Sequence, residues 1–330
     1  MKTHCIAYRV LCPISLLFVL LLSCCTPRKT ATTLDNPAVA VPIFDADTAY
    51  AGVAAQVAYG PRVPGSPAHR ACGDWLVAEL CRYGATVTEQ NVDLKAYTGD
   101  VLPSRNIIGS FLPEARKRVL LCSHWDSRPW ADADPDVANR RTPILGANDG
   151  ASGVGVLLEI ARQLGQHPAA IGVDIVFFDS EDYGVHQEDT EDSEGSWCLG
   201  SQYWARQACR NGYMARYGIL LDMVGAPNAR FHKEGMSCHY ASNIVDKVWR
   251  AAHAIGFGEY FPLTDGSFTT DDHIPVSETA KVPCIDIIPY DEEYGFGKYW
   301  HTLRDDMSWI DPATLHAVGQ TVLHVVYNEK

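Results

Sequence analysis

The stretch "GVDIVFFDSED", residues 172–182, opens as an apolar run and closes with three acids in four positions. Residues 172–178 read as a buried β-strand, rich in Val, Ile and Phe. Carboxylates placed at a buried strand end cost heavily unless something neutralises them, so Asp179, Glu181 and Asp182 need partners. Just before this strand, "ASGVGVLLEIARQLG" (151–165) has helical spacing, with Val154, Leu157, Leu158, Ala161 and Leu164 on one side. Before that helix stands another short buried strand, "RVLLCS" (118–123). Working outward, helices are expected over 67–83 and near 199–210, 241–255 and 312–327. Strands are expected at "ATVTEQNVDL" (85–94), "RNIIGSF" (105–111), 218–221 and 284–288. Alternation of this kind predicts an α/β fold, a three-layer sandwich around a central mixed, mainly parallel β-sheet. No internal repeat is present.

Ligands of open α/β sheets gather beyond the carboxyl ends of the strands, so the residues just past each apolar strand carry most weight. After "RVLLC" come His124 and Asp126, and a long polar loop then leads to "GANDGASG" with Asp149. "DIVFF" is followed by the three acids, "GILL" by Asp222, and "CIDII", after a loop, by His301 in "KYWHT". Each has an ordinary explanation alone. Asp149 suits a helix N-cap, His124 a carbonyl-bonded buried imidazole, Asp222 a turn and His301 an exposed loop. Together, carboxylates converging on one sheet edge repel one another, and a divalent cation resolves that conflict. Imidazole and carboxylate donors without a thiolate favour zinc in an open, catalytic site. The residues by themselves therefore indicate a metal-dependent, hydrolase-like enzyme.

The order His124-x-Asp126, Asp149, Glu181-Asp182, Asp222, His301 resembles the zinc-aminopeptidase superfamily. Further phrases resemble one branch of it, the glutaminyl cyclases (glutaminyl-peptide cyclotransferases) of the animal-like zinc-dependent type. They are "GPRVPGSPAH" (60–69), "FFDSED" (177–182), "LLDMVGAPN" (220–228), "DDHIP" (271–275) and "YWHT" (299–302), and the match runs from about residue 45 to the end. The resemblance implies one zinc held by Asp149, Asp182 and His301, with Glu181 as general base and acid and Asp271 assisting it. It places His124 and Asp222 beside the site, where an aminopeptidase would hold a second metal. Trp300 and Trp197 are expected at the substrate pocket, together with Asp286 at its edge. Two departures from the family pattern stand out. Asp182 replaces a Glu common in animal members, and Asp286 replaces a His. The implied reaction is cyclisation of an N-terminal glutamine to pyroglutamate with release of ammonia. Two rivals remain open: a di-zinc aminopeptidase, and a lipoprotein that keeps the fold only as a binding module.

A net charge of −13 over 330 residues, without any basic stripe, argues against a nucleic-acid partner. Lys2 and Arg9 precede the apolar run Val10–Leu22, which is too short to cross a bilayer, since that takes about 20 residues. Leu21-Leu22-Ser23-Cys24 resembles a bacterial lipoprotein signal, with residues 1–23 removed and Cys24 carrying lipid, a plain secretory signal being the alternative. Because the segment holds two cations and no acid, the mature chain would carry −15. Residues 24–43 read as a flexible tether and 44–330 as one catalytic domain. The expected product is a monomer, lipid-anchored in the cell envelope or periplasm and acting on peptides or proteins with N-terminal glutamine. Export makes disulfides possible, although Cys72 and Cys81, about 13 Å apart along one helix, cannot pair. The acid-rich loop 186–197 reads as solvated, with calcium binding as the alternative.

Overall fold

In a computed structural model, residues 40–189, 195–290 and 295–330 are described. The signal segment, Cys24, most of the tether and the centre of the acidic loop therefore lie outside the described residues. Strand β4 (Gly172–Phe178) is buried at every position. It pairs in parallel with β3 (Arg118–His124) and antiparallel with β2 (Val101–Phe111). Beyond them, β1 (Thr86–Lys95) closes one edge antiparallel to β2, while β5 (Gly218–Leu221) and β6 (Cys284–Ile287) extend the other edge in parallel. The order β1-β2-β4-β3-β5-β6 gives a mixed sheet with mostly parallel pairings at its centre, as expected.

Side chains alternate across this sheet, as the two-residue period of a strand requires. Val119, Leu121, Val173, Ile175, Phe177, Ile219 and Ile285 face the larger core. That core is covered by α1 (Ala46–Ala58), α2 (Pro67–Arg82), α3 (Ala151–Gln166), α5 (Gly235–Ala254) and α7 (Pro312–Tyr327). Leu120, Cys122, Val176, Phe178 and Leu220 face the opposite core, under α4 (Leu199–Arg210) and α6 (His273–Glu278). Helices on both faces of the sheet make the three layers. Helices α1 and α3 pack closely because Gly155 has no side chain. A Cβ there would stand 2.6 Å from Val53 Cγ2 and 2.9 Å from the Ala49 carbonyl.

The differences from expectation have local causes. Strand β2 starts at Val101, before the expected 105, because its first residues pair only with exposed β1 and so carry little apolar signal. Helix α5 starts at Gly235 instead of 241, since non-helical backbone at Ala241 interrupts the apolar period. Two α-helices were not anticipated: the alanine-rich α1 and the six-residue α6. Disulfides are absent among the described residues, where Cys72, Cys81, Cys122, Cys198, Cys209, Cys238 and Cys284 are all free thiols. No described helix is long and apolar enough to cross a membrane.

Candidate active site

Four parallel strands deliver their carboxyl ends to one edge, and the loops beyond them carry the chemistry. Past β3, the Asp126 carboxylate accepts the backbone N–H of both Glu181 and Asp182, each at 3.2 Å. This fixes the chain just past β4. Asp149 precedes the N-terminus of α3, where Gly150 adopts φ +93°. A Cβ at Gly150 would meet the Asp126 carbonyl at 2.7 Å and His124 Cε1 at 2.9 Å, so only glycine lets these segments converge. Asp149 is thus not the helix cap. Its backbone N–H, with that of Asn148, is instead received by Asp305 at 3.0 and 2.7 Å.

Asp149, Asp182 and His301 come together with one donor atom each inside 4.8 Å. His301 Nε2 lies 3.3 Å from Asp182 Oδ1 and 3.6 Å from Asp149 Oδ2. A second trio, His124, Asp149 and Asp222, shares Asp149: His124 Nε2 stands 3.1 Å from Asp149 Oδ1 and 3.2 Å from Asp222 Oδ1. Glu181, Asp271 and Cys198 form a third group next to these. Four non-glycine residues with left-handed backbone lie at this edge, namely Ser180, Cys198, Met223 and His301. Such strain concentrates where side-chain aim matters more than backbone comfort.

Zinc fits the first trio. Two carboxylates and an imidazole form a donor set suited to it, Asp182 Oδ2 is buried without a hydrogen-bond partner, and the open side faces a cavity. The supporting shell fits as well. His301 Nδ1 lies 3.3 Å from Asp132 Oδ1, and Arg128 clamps Asp132 with two hydrogen bonds of 2.8 and 2.6 Å. Arg128 also donates to the Asp182 carbonyl at 3.0 Å. A carboxylate on the far nitrogen of a ligating histidine fixes its tautomer and ring orientation. Asp132 was not singled out in the sequence, since nothing local in "WADAD" says which acid meets His301.

The electrostatics separate the acids. Burial pushes Glu181 well above the ordinary carboxylate range, and neighbouring Asp271, Asp182 and Asp272 push further against the opposing pull of His124. Burial raises Asp222 to about 7 and Asp305 to about 8. For Asp149, burial is outweighed by His124, His301 and Arg128, and its carboxyl lies below the ordinary range. Asp149 is therefore disposed to stay charged, whereas Glu181 has a raised affinity for protons. The third acid of the opening stretch, Asp179, takes neither role. His69 Nε2 meets it at 2.8 Å, and the N–H groups of Arg105 and Ser180 donate to it.

A cavity of about 330 Å³ opens over Asp149, Glu181, Asp182, Asp222, Asp271 and His301. Trp197 and Trp300 line it, both with rings stacked against His301 at centroid distances of 6.0 and 3.7 Å. Phe268, Phe296, Tyr290 and Ile288, which were not anticipated, complete its apolar wall. Asp286 does not line this cavity. It is fully buried behind Asp271, with His273 Nδ1 at 3.9 Å from its carboxylate. In the acidic loop, Glu188 and Asp189 pair with Arg140 and Arg141, whereas residues 190–194 lie outside the described residues.

The family model described as peptidase family M28 matches residues 106–326. The crystal structure of Bacteroides thetaiotaomicron glutaminyl cyclase bound to N-acetylhistamine shares 54% identity, with a TM-score of 0.87 over 88% of this chain and 100% of that chain. A Zn-dependent exopeptidase from Parabacteroides distasonis is 56% identical over the same shares, also at TM-score 0.87. A glutaminyl-peptide cyclotransferase-like protein of Bos taurus is 24% identical over 286 residues, 78% of this chain and 70% of that protein. With the metal trio, its supporting shell and these matches in agreement, the chain belongs to peptidase family M28.

Proposed function

We infer that the protein is a zinc-dependent glutaminyl-peptide cyclotransferase, converting N-terminal glutamine of peptides to pyroglutamate with release of ammonia. One observation carries this reading: an Asp/Asp/His trio and a separate buried Glu181 face one cavity with an apolar wall, in a chain more than half identical to a bacterial glutaminyl cyclase. Asp149, Asp182 and His301 are assigned as the zinc ligands. When bound, zinc supplies Lewis acidity at the glutamine side-chain amide.

The rest is done by the chain's own groups. The substrate's α-nitrogen bonds to its own side-chain carbonyl carbon, and the bond from that carbon to the amide nitrogen breaks. Glu181 takes a proton from the attacking amine and returns it to the departing ammonia, and its raised affinity for protons suits both halves of the transfer. Asp271 stands beside Glu181 and supports that exchange. Because both reacting atoms belong to one residue, the cavity's task is to hold the side chain folded, which Trp197, Trp300 and Ile288 do by apolar contact. The animal-like subtype is supported by the "DDHIP" and "GAPN" phrases and by the likeness to the Bos taurus cyclotransferase-like protein. Attachment to the cell envelope through lipid on Cys24 is supported by the "LLSC" signal alone.

A second reading, a di-zinc aminopeptidase, rests on the His124, Asp149 and Asp222 trio and on the exopeptidase relative. Incubation with a glutamine-initiated peptide separates the two. Loss of one ammonia from an otherwise intact chain is expected, and release of free glutamine would establish the aminopeptidase instead.

A further inference from the structure

Cys198 occupies a backbone conformation that a side chain resists, with φ 58° and ψ 32°, immediately before α4. A residue at this position normally caps the helix, yet its side chain makes no capping hydrogen bond. The thiol instead donates to Glu181 Oε1 at 3.2 Å. The Cys198 backbone N–H also donates to the Glu181 carbonyl, at 3.1 Å, and Leu199 N–H to the Ser180 carbonyl at 3.1 Å. Glu181 is therefore gripped by one residue at both its backbone and its carboxylate. Burial, with the nearby carboxylates adding, keeps the thiol in its protonated, donating form. The side chain is 3% exposed and barely touches solvent, so reactivity is not its evident purpose.

We propose that Cys198 is a positioning residue that aims the Glu181 carboxylate at the reacting amine. This role rests on the cyclase reading. The chemistry of the donor suits the task. An S–H group is a weak donor, so it fixes the direction of a carboxylate while competing little for the lone pair that must accept the substrate's proton. A rotamer left unpinned in the same space would spend part of its time aimed elsewhere, and small misplacements of a catalytic group are costly. The left-handed backbone at Cys198 is what brings Sγ to Glu181.

Three variants test this in zinc-loaded protein with a glutamine-initiated peptide. Cys198→Gly removes the thiol at a site whose backbone favours glycine, so folding is preserved or improved. Cys198→Ala removes it conservatively, and Cys198→Ser restores a donor. Expected for Gly and Ala is a fall in kcat of about tenfold with KM and bound zinc unchanged, and recovery by Ser to within about threefold of wild type. A purely structural role would instead lower thermal stability in Ala, raise it in Gly and leave kcat in place. Gly and Ala variants that keep kcat within about twofold, a loss expressed in KM, or a Ser variant as slow as Ala would each overturn the proposal. Wild-type protein that releases no ammonia while fully loaded would overturn the cyclase reading, an outcome distinct from equal activity in wild type and variants.

Discussion

Asp179, Glu181 and Asp182 leave the same strand end, yet each is neutralised differently. Asp179 is held by His69 and two backbone N–H groups, Asp182 faces His301, and Glu181, whose buried carboxyl has a raised affinity for protons, accepts the Cys198 thiol. Two substitutions separate their roles. Glu181→Gln is expected to retain zinc while kcat falls by about 10²–10⁴-fold, whereas Asp182→Ala loses both metal and turnover. Metal analysis beside a kinetic assay checks this, and equal zinc loss in the two variants would mean the pair is misassigned. Asp132→Ala should weaken zinc binding by about 10–100-fold, because His301 loses the carboxylate on its far nitrogen. Zinc titration against a competing chelator reads that effect directly. Glu181 and Asp182 were legible because position beyond a buried strand is a local signal. Asp132 and Asp305 were not, since each acts on a residue far away in the chain.

At the scale of elements, the strands around the site were readable because burial on both faces writes continuous apolar runs into β3 and β4. Helix α1 left a weaker trace: its contact with α3 depends on small residues at Gly52 and Gly155, not on a broad apolar stripe. Gly155→Ala is expected to cost about 1–3 kcal/mol, seen as a lowered Tm with the fold retained, because the added methyl meets backbone as well as Val53. The start of α5 is secured by Glu234, whose carboxylate receives the N–H of Met236 and Ser237 at 2.8 and 2.6 Å. Burial would raise this acid, but His273 and those N–H groups outweigh it and hold it at about 2, below the ordinary 4.5. A depressed carboxyl stabilises the fold above its unfolded value, and that contribution fades as pH falls from about 4.5 towards 2. Thermal melts should therefore show a gap between wild type and Glu234→Gln that is full at neutral pH and shrinks with acidification. A gap independent of pH would contradict the assignment.

For the whole molecule, the sheet acts as a platform whose parallel centre points β3, β4, β5 and β6 at one edge, and the site is assembled from the loops beyond it. The fold class was legible from the alternation of elements. What the residues alone left open was the number of metals, because His124 and Asp222 serve equally well as charged neighbours or as ligands. In the structure His124 bonds both Asp149 and Asp222, and those carboxylates, with Asp126, hold its imidazole well above the ordinary range although burial pulls the other way. His124 Nε2 thus gives these two acids a shared partner within the chain, beside the Asp149, Asp182 and His301 trio assigned to zinc. The most direct test is therefore zinc titration of metal-free protein, with bound zinc and ammonia release from a glutamine-initiated peptide followed together. The account predicts full activity at one zinc per chain. Activity that rises only as a second equivalent binds would contradict it.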